Sequence, residues 1–242
     1  MTPYELTFVV GVVYIAALTQ VLSGFGFALL SVPLMTIAVP TKEAVVISTL
    51  LGAGVSSWQA WHGRRHVVRP AARWMIVGAY MGMPIGLVVF VTVDESVLRL
   101  ILGVAVLMAV VSLAMNVNLA HVGSRLDVGA GFLSGMLNTS LSTNGPPLVF
   151  ALQARQLSPD AFRATINTVF SFSNVVGITL FVIAGKVTVD GVTAAAVAMP
   201  ALLLGQLSGF PLRKHVSAEL FRWLVLGLLV VAACSTIFSA LR

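Results

Sequence analysis

GFLSGMLNTSLSTNGPP, residues 131–147, is the stretch on which the reading of this chain turns. It holds Ser134, Asn138, Thr139, Ser140, Ser142, Thr143 and Asn144, yet apolar sequence flanks it and no charge falls between Asp127 and Arg155. A polar, helix-breaking segment inside a membrane span frees backbone groups that find no water in hydrocarbon. Such a segment persists only where protein covers it or where it lines a cavity. Residues 131–147 are expected to line one.

The rest of the chain supplies the membrane span. Of 242 residues, 58% are hydrophobic and 9% charged, with a mean hydropathy of +1.01; soluble domains carry roughly 25% charged residues. Charge-free runs such as Arg73 to Asp94, Arg99 to Arg125, Arg163 to Lys186 and Asp190 to Arg213 approach or exceed the roughly 20 residues of a spanning helix. They lack the strict alternation of barrel strands. The fold class is therefore an all-α polytopic membrane protein.

The net charge of +6 and pI near 10.3 do not indicate nucleic acid, because the basic residues sit at helix ends rather than on one face. They read as membrane orientation. MTPYELTF lacks the basic region and cleavage site of a signal peptide and reads as a retained first helix. The single cysteine, Cys234, cannot form an internal disulfide, and in an apolar helix it is expected to pack as a small residue.

Two halves follow the same order. In the first, residues 4–39 are interrupted by LSGFGFALLSVP, residues 22–33, through Gly24, Gly26 and Pro33. A helix then starts at Thr41, an expected N-cap, and runs to about His62. The basic loop with Arg64, Arg65, Arg69 and Arg73 leads to a third helix over 74–93, whose Gly78, Gly82 and Gly86 form a small-residue face. A fourth ends near Asn116. In the second half, residues 128–154 are interrupted, Ser158 caps a helix over 161–184 with Pro159 at its first position, and helices over 192–210 and 221–239 follow. Gly24 and Gly26 align with Asn138 and Ser140, and Pro33-Leu34 with Pro147-Leu148. Two repeats, residues 1–120 and 121–242, are expected to form one transport domain.

Charge bears on how the halves face. With eight full spans, the basic residues divide equally between the two sides. If each broken helix instead re-enters or crosses twice, ten of the fourteen Lys and Arg share one side, as the positive-inside rule favours. Each half then has a broken or re-entrant first helix followed by three transmembrane helices, and the repeats have inverted topology. Eight full spans remain the alternative.

The two repeats, with breaks leading into VPL and PPL (LSGFGFALLSVPL and GFLSGMLNTSLSTNGPPL), the PDAFRATIN helix start and the basic WHGRR turn resemble the sulfite exporter TauE/SafE family of membrane permeases over essentially the whole chain. The resemblance implies transport of sulfite, sulfonates or related small anions, often as export across the bacterial inner membrane. The first repeat departs from the family, which more often has adjacent glycines where this chain has SGFGF.

The residues add a chemistry of their own. A helix that starts inside the membrane presents unpaired amides and the positive end of its dipole, which suits an anion. Gly145 fits such a start, with Ser142, Thr143 and Asn144 just before it and Asn138 and Ser140 upstream; Ser23, Gly24 and Gly26 match them in the first half. Asn167 and Asn174 share a face of the next helix, Gln20 precedes Gly24 by one turn, and Gln206 lies between two glycines of the penultimate helix. Arg163 offers charge at a cytoplasmic mouth. The same residue types also serve simply to hydrogen-bond neighbouring helices.

All eight acids lie at helix ends or in loops, which disfavours a buried carboxylate relay. There is no phosphate-binding glycine loop with lysine, no nucleophile triad and no histidine cluster with metal-ligand spacing. No enzyme activity, metal or cofactor is expected. The partners are a small anion and the lipid bilayer, with homo-oligomerisation left open. A small-anion or neutral-solute channel and a non-transport membrane assembly factor are the rival functions.

Overall fold

The computed structural model describes residues 1–114, 123–153 and 155–212, with a few isolated positions between 227 and 238. Among the described residues there are nine α-helices and no strand. They are α1 (Pro3–Ser23), α2 (Phe27–Met35), α3 (Thr41–Gly63), α4 (Arg69–Thr92), α5 (Glu95–Ala114), α6 (Ser124–Leu141), α7 (Gly145–Gln153), α8 (Pro159–Ile183) and α9 (Val189–Leu212). The expected basic loop over 213–222, most of the terminal helix, and His121 and His215 lie outside the described residues.

Local chemistry explains the helix starts. Thr2 and Glu5 form a reciprocal capping box ahead of Pro3, and the Ser158 hydroxyl accepts the Ala161 amide ahead of Pro159. Thr41 is the first helical residue rather than the cap; Pro40 holds the cap position, and the Thr41 hydroxyl accepts from Arg99 Nε at 3.1 Å. α4 begins five residues before the expected Trp74, because Pro70 fits its first turn.

The breaks are short. Gly24 caps α1 at φ 90° and Gly26 precedes α2 at φ 100°, both left-handed and suited to glycine. In the second half the left-handed residue is Ser142, φ 57°, capping α6. These turns equate Gly24 with Ser142 and Gly26 with Asn144, one helical turn away from the alignment on Asn138 and Ser140. Pro33 does not break the chain; it lies two residues from the end of α2, where one lost backbone bond disturbs little. The order of a long helix, a nine-residue helix and further long helices occurs twice.

Three close helix pairs hold the bundle. Gly78, Gly82 and Gly86 of α4 meet α6 at Val128, Phe132 and Met136, while Gly131 and Gly135 of α6 meet Met75 and Ala79. Rising residue numbers on both sides make the pair parallel, with backbones in contact as small residues allow. α1 and α9 are likewise parallel, with Gly205 against Tyr14 and Ala17, and Gly209 against Val21. α3 and α8 are antiparallel, from Gly63 against Ala164 to Gly52 against Asn174. Gly54, on the same helix as Gly52, faces open space.

The ends of the bundle are tied by polar contacts. At one, the Met1 ammonium meets Asp190 at 2.9 Å, and the Lys42 amide donates to Glu95 at 3.2 Å. The Asp190 carboxylate raises the Met1 ammonium above its ordinary pKa, chiefly by accepting this hydrogen bond. At the other, the Val68 amide donates to the Thr165 hydroxyl at 3.0 Å, and Arg155 pairs with Asp127. Asp127 sits in the first turn of α6 as the sequence suggests, but it is buried. Cys234 is exposed rather than packed.

The apolar outer surface fits a bilayer. α1, α4, α8 and α9 are long and apolar enough to span one, and Trp58, Trp61, Met81, Leu207 and Ile183 are exposed on the outside. A core of Val, Leu, Ile and Phe fills the inside, including the tilted pair Phe90 and Phe181 at 4.8 Å.

Candidate functional site

Both breaks end at one small cavity lined mostly by buried residues. Gly26, Phe27, Ala28 and Leu29 reach it from the start of α2, and Ser142, Asn144 and Gly145 from the turn into α7. Ser48, Gly52 and Ser56 line it from α3, Phe170 and Asn174 from α8, and Gln20 from α1. Among the described residues no charged side chain lines it. Its volume is about 20 Å³, room for roughly one water.

Backbone and side chains offer different donors. In α2 the first intrahelical bond is Leu30 N–H to the Gly26 carbonyl at 3.1 Å, so the amides of Phe27, Ala28 and Leu29 come before the helical ladder. In α7 the second and third residues are Pro146 and Pro147, which have no N–H. The Asn144 side chain supplies what they lack. Its Nδ2 is buried and has no hydrogen-bond partner among the described residues, which is costly unless something accepts from it. The Asn144 carbonyl is fixed by the Ser134 hydroxyl at 2.8 Å, and the Ser142 hydroxyl accepts from Thr49 at 3.0 Å.

The remaining sequence candidates are placed elsewhere. Thr143 is buried beside the cavity and its hydroxyl has no partner among the described residues, but it does not line the cavity. Asn138 donates to the Ser173 carbonyl at 3.2 Å. Ser140 bonds the Met136 carbonyl, and Ser23 the carbonyls of Thr19 and Phe25. Gln206 accepts from Gln59 at 3.2 Å and donates to the Ala17 carbonyl at 3.5 Å. Asn138 and Gln206 thus tie helices together, Ser23 holds the turn after α1, and Ser140 bonds within its own helix. Gly24 is an α1 cap crossed by the aliphatic stem of Arg163.

Arg163 and Asn167 line a second cavity of about 280 Å³, with Trp58, Gln59, His62, His66, Asp160 and Phe210 also in its wall. Asn167 joins the two cavities. Its Oδ1 accepts from Gln20 Nε2 at 3.0 Å, and its Nδ2 donates to the carbonyls of Gly24 and Arg163, each at 2.9 Å.

Sequence reasoning missed Ser48, Gly52 and Ser56 as cavity residues, as well as Phe170. The signal for the first three was present: small residues at four-residue spacing mark one helix face. Apolar neighbours in TLLGAGV diluted it. Among the described residues no group of His, Cys, Asp and Glu could hold a metal ion.

An apolar bundle in which two helix breaks meet at one small polar cavity is the architecture of a multi-pass membrane transport protein. A family model described as "Sulfite exporter TauE/SafE" matches residues 8–236, and the chain belongs to that family. The probable sulfite/organosulfonate exporter TauE of Cupriavidus necator is 24% identical to it over 233 residues, covering 92% of this chain and 90% of the relative. No solved structure matches the chain.

Proposed function

We propose that this protein is a secondary transporter that exports a small sulfur-containing anion, sulfite or a short organosulfonate, across the bacterial inner membrane by alternating access. The observation that carries the reading is the meeting of two nine-residue helix starts at one buried, uncharged cavity, with the unpaired Asn144 Nδ2 beside it. Helix dipoles and amides would cradle an oxyanion there without a fixed positive charge. A dipolar site of this kind releases its cargo readily. The small volume of the cavity favours a carrier that opens and closes over a permanently open channel. The family membership and the named relative supply the substrate class; no enzymatic step is assigned.

The contacts at the bundle ends support one topology. α2 turns back beside α3, with Ser31 bonded to Ser48 at 2.9 Å, and Asp127–Arg155 joins the start of α6 to the chain just after α7. Both hairpins are read as re-entrant, α1–α2 from one side and α6–α7 from the other. Residues 1–120 and 121–242 then form two inverted repeats that rock against each other. The end carrying Arg64, Arg65, Arg69, Arg73, Arg155 and Arg163 faces the cytoplasm.

Purified protein in liposomes should move sulfite or a short sulfonate, with saturation and counterflow. Asn144→Ala and Ser142→Ala should each reduce transport at least tenfold while the fold is retained. Unchanged transport in both variants would place the site elsewhere.

A further inference from the structure

We propose that the cavity around Arg163 is a second anion-binding station outside the transport cavity, and that the Gln20–Asn167 hydrogen bond is the gate between the two. This deepens the transport reading and rests on it for the nature of the cargo. Its ligand is an oxyanion of sulfite or sulfonate type.

The outer cavity differs from the inner one in size and charge. It measures about 280 Å³ against about 20 Å³, and it contains the guanidinium of Arg163. That side chain is 24% exposed. Of the five N–H donors of an arginine, one is engaged within hydrogen-bond range among the described residues, to the Leu22 carbonyl at 3.3 Å. The Asp160 carboxylate stands at 3.8 Å, too far for a direct hydrogen bond. Arg163 therefore keeps donors for an anion, and its stem is held in place across Gly24.

The partition is a side-chain contact with one fixed and one movable member. Gln20 lines the inner cavity and Asn167 the outer one, and both are buried. Both side-chain amide hydrogens of Asn167 are held by backbone carbonyls, one on α8 itself and one at the α1 cap. Gln20 makes its single side-chain hydrogen bond, among the described residues, to Asn167. Rotation of Gln20 alone opens the partition. The amide it frees can then donate to an oxyanion passing inward, so the broken bond is replaced during passage. Along α3 the same step separates Ser56, on the inner wall, from Gln59, on the outer wall.

The gate is tested by thiol labelling, which needs no transport. In a Cys234→Ser background, Ser56→Cys places a thiol in the inner cavity. Two membrane-impermeant methanethiosulfonates are applied from the basic-loop face, one carrying an ethylsulfonate and one an ethyltrimethylammonium group. With Gln20 intact, labelling is slow; Gln20→Ala raises the rate of both reagents about tenfold from this face and not from the other. Adding Arg163→Gln lowers the sulfonate-to-ammonium rate ratio at least threefold. If Gln20→Ala does not fold, Gln20→Met, of similar volume but without the amide, must raise the rate at least threefold. An unchanged rate, or acceleration from the opposite face only, overturns the gate; an unchanged ratio overturns the outer station. Labelling as expected in a protein that moves no sulfite or sulfonate overturns the transport reading alone.

Discussion

Gly82→Ala tests whether the α6–α7 hairpin is held in place by backbone contact with α4. A Cβ on Gly82 would overlap the Phe132 carbonyl oxygen and stand 2.9 Å from its carbon and 3.0 Å from Met136 N. All three are backbone atoms, so no side chain can swing aside and the helices must part. In a bilayer the hydrophobic effect does not drive them back together, and dispersion is the main attraction. A gap of about 0.5–1 Å forfeits a quarter to a half of each contact along the interface, and overpacked interiors lose roughly 1–3 kcal/mol. Thr139, whose hydroxyl donates to the Met83 carbonyl at 2.6 Å, would lose a further hydrogen bond of about 1 kcal/mol. The expected cost is about 2–4 kcal/mol. Gly129→Ala is the control: it lies on the same helix as Phe132 with open space around its Cβ, so the change should be neutral or favourable by up to about 1 kcal/mol. Equilibrium unfolding of the two variants in one detergent decides the matter. Equal stability would refute the claim that glycine contact holds the hairpin.

Ser142→Gly should separate stability from function. It relieves a left-handed non-glycine residue, worth about 1 kcal/mol, but removes the acceptor of the Thr49 hydroxyl; a rise in melting temperature with slower transport is expected, and unimpaired transport would remove Ser142 from the site. Gly24→Ala should cost roughly 1–3 kcal/mol, because alanine is strained at φ 90° and its Cβ collides with the Arg163 stem; a stable variant with normal unfolding would contradict this. Asp127→Asn should cost roughly 2–4 kcal/mol by leaving Arg155 without its buried partner. The Asp127→Asn/Arg155→Gln double variant should recover part of that, and strictly additive losses would show that the pair does not staple the hairpin.

The elements that sequence reading captured are those with a local cause. Gly78, Gly82 and Gly86 announce a contact face by their spacing, and Gly145-Pro146-Pro147 announces a helix start because proline costs least in the first turn, where its missing N–H would be unpaired anyway. What it missed depended on distant partners or ambiguous punctuation. Gly131 and Gly135 read as part of the break, whereas they form the other half of the α4 contact. Pro33 read as a breaker, yet near a helix end its missing donor matters little. The repeat was aligned one turn out because a left-handed cap accepts either Gly24 or Ser142, two residues that do not look alike in a sequence. Asp127 looked solvent-exposed from its place at a helix start; its burial depends on Arg155, which lies 28 residues away and meets it only when the hairpin closes. Most of the candidate polar residues are buried around the two cavities, but type alone could not separate Asn144, which faces the inner cavity, from Asn138, which bonds α8.

The two breaks are alike in geometry and unlike in chemistry, and the difference bears on how an anion would sit between them. α2 opens with three consecutive amides ahead of its first internal bond. α7 keeps the Gly145 amide, loses two to proline, and adds the side-chain amide of Asn144, whose Nδ2 has no partner among the described residues. Backbone amides are fixed by the helix and suit charge spread over several oxygens; a side-chain amide can follow one oxygen as the cavity changes shape. A carrier needs both properties. The rigid α2 side would hold the oxyanion head, and the α7 side would adjust as the repeats rock, while the absence of a fixed positive charge keeps the bound state shallow enough to empty. An arginine at Gly26 or Asn144 would give tighter binding and slower release. On the proposed reading the positive charge sits instead at Arg163, in the wall of the outer cavity, where it would gather the anion without holding it in the cavity that must let it go.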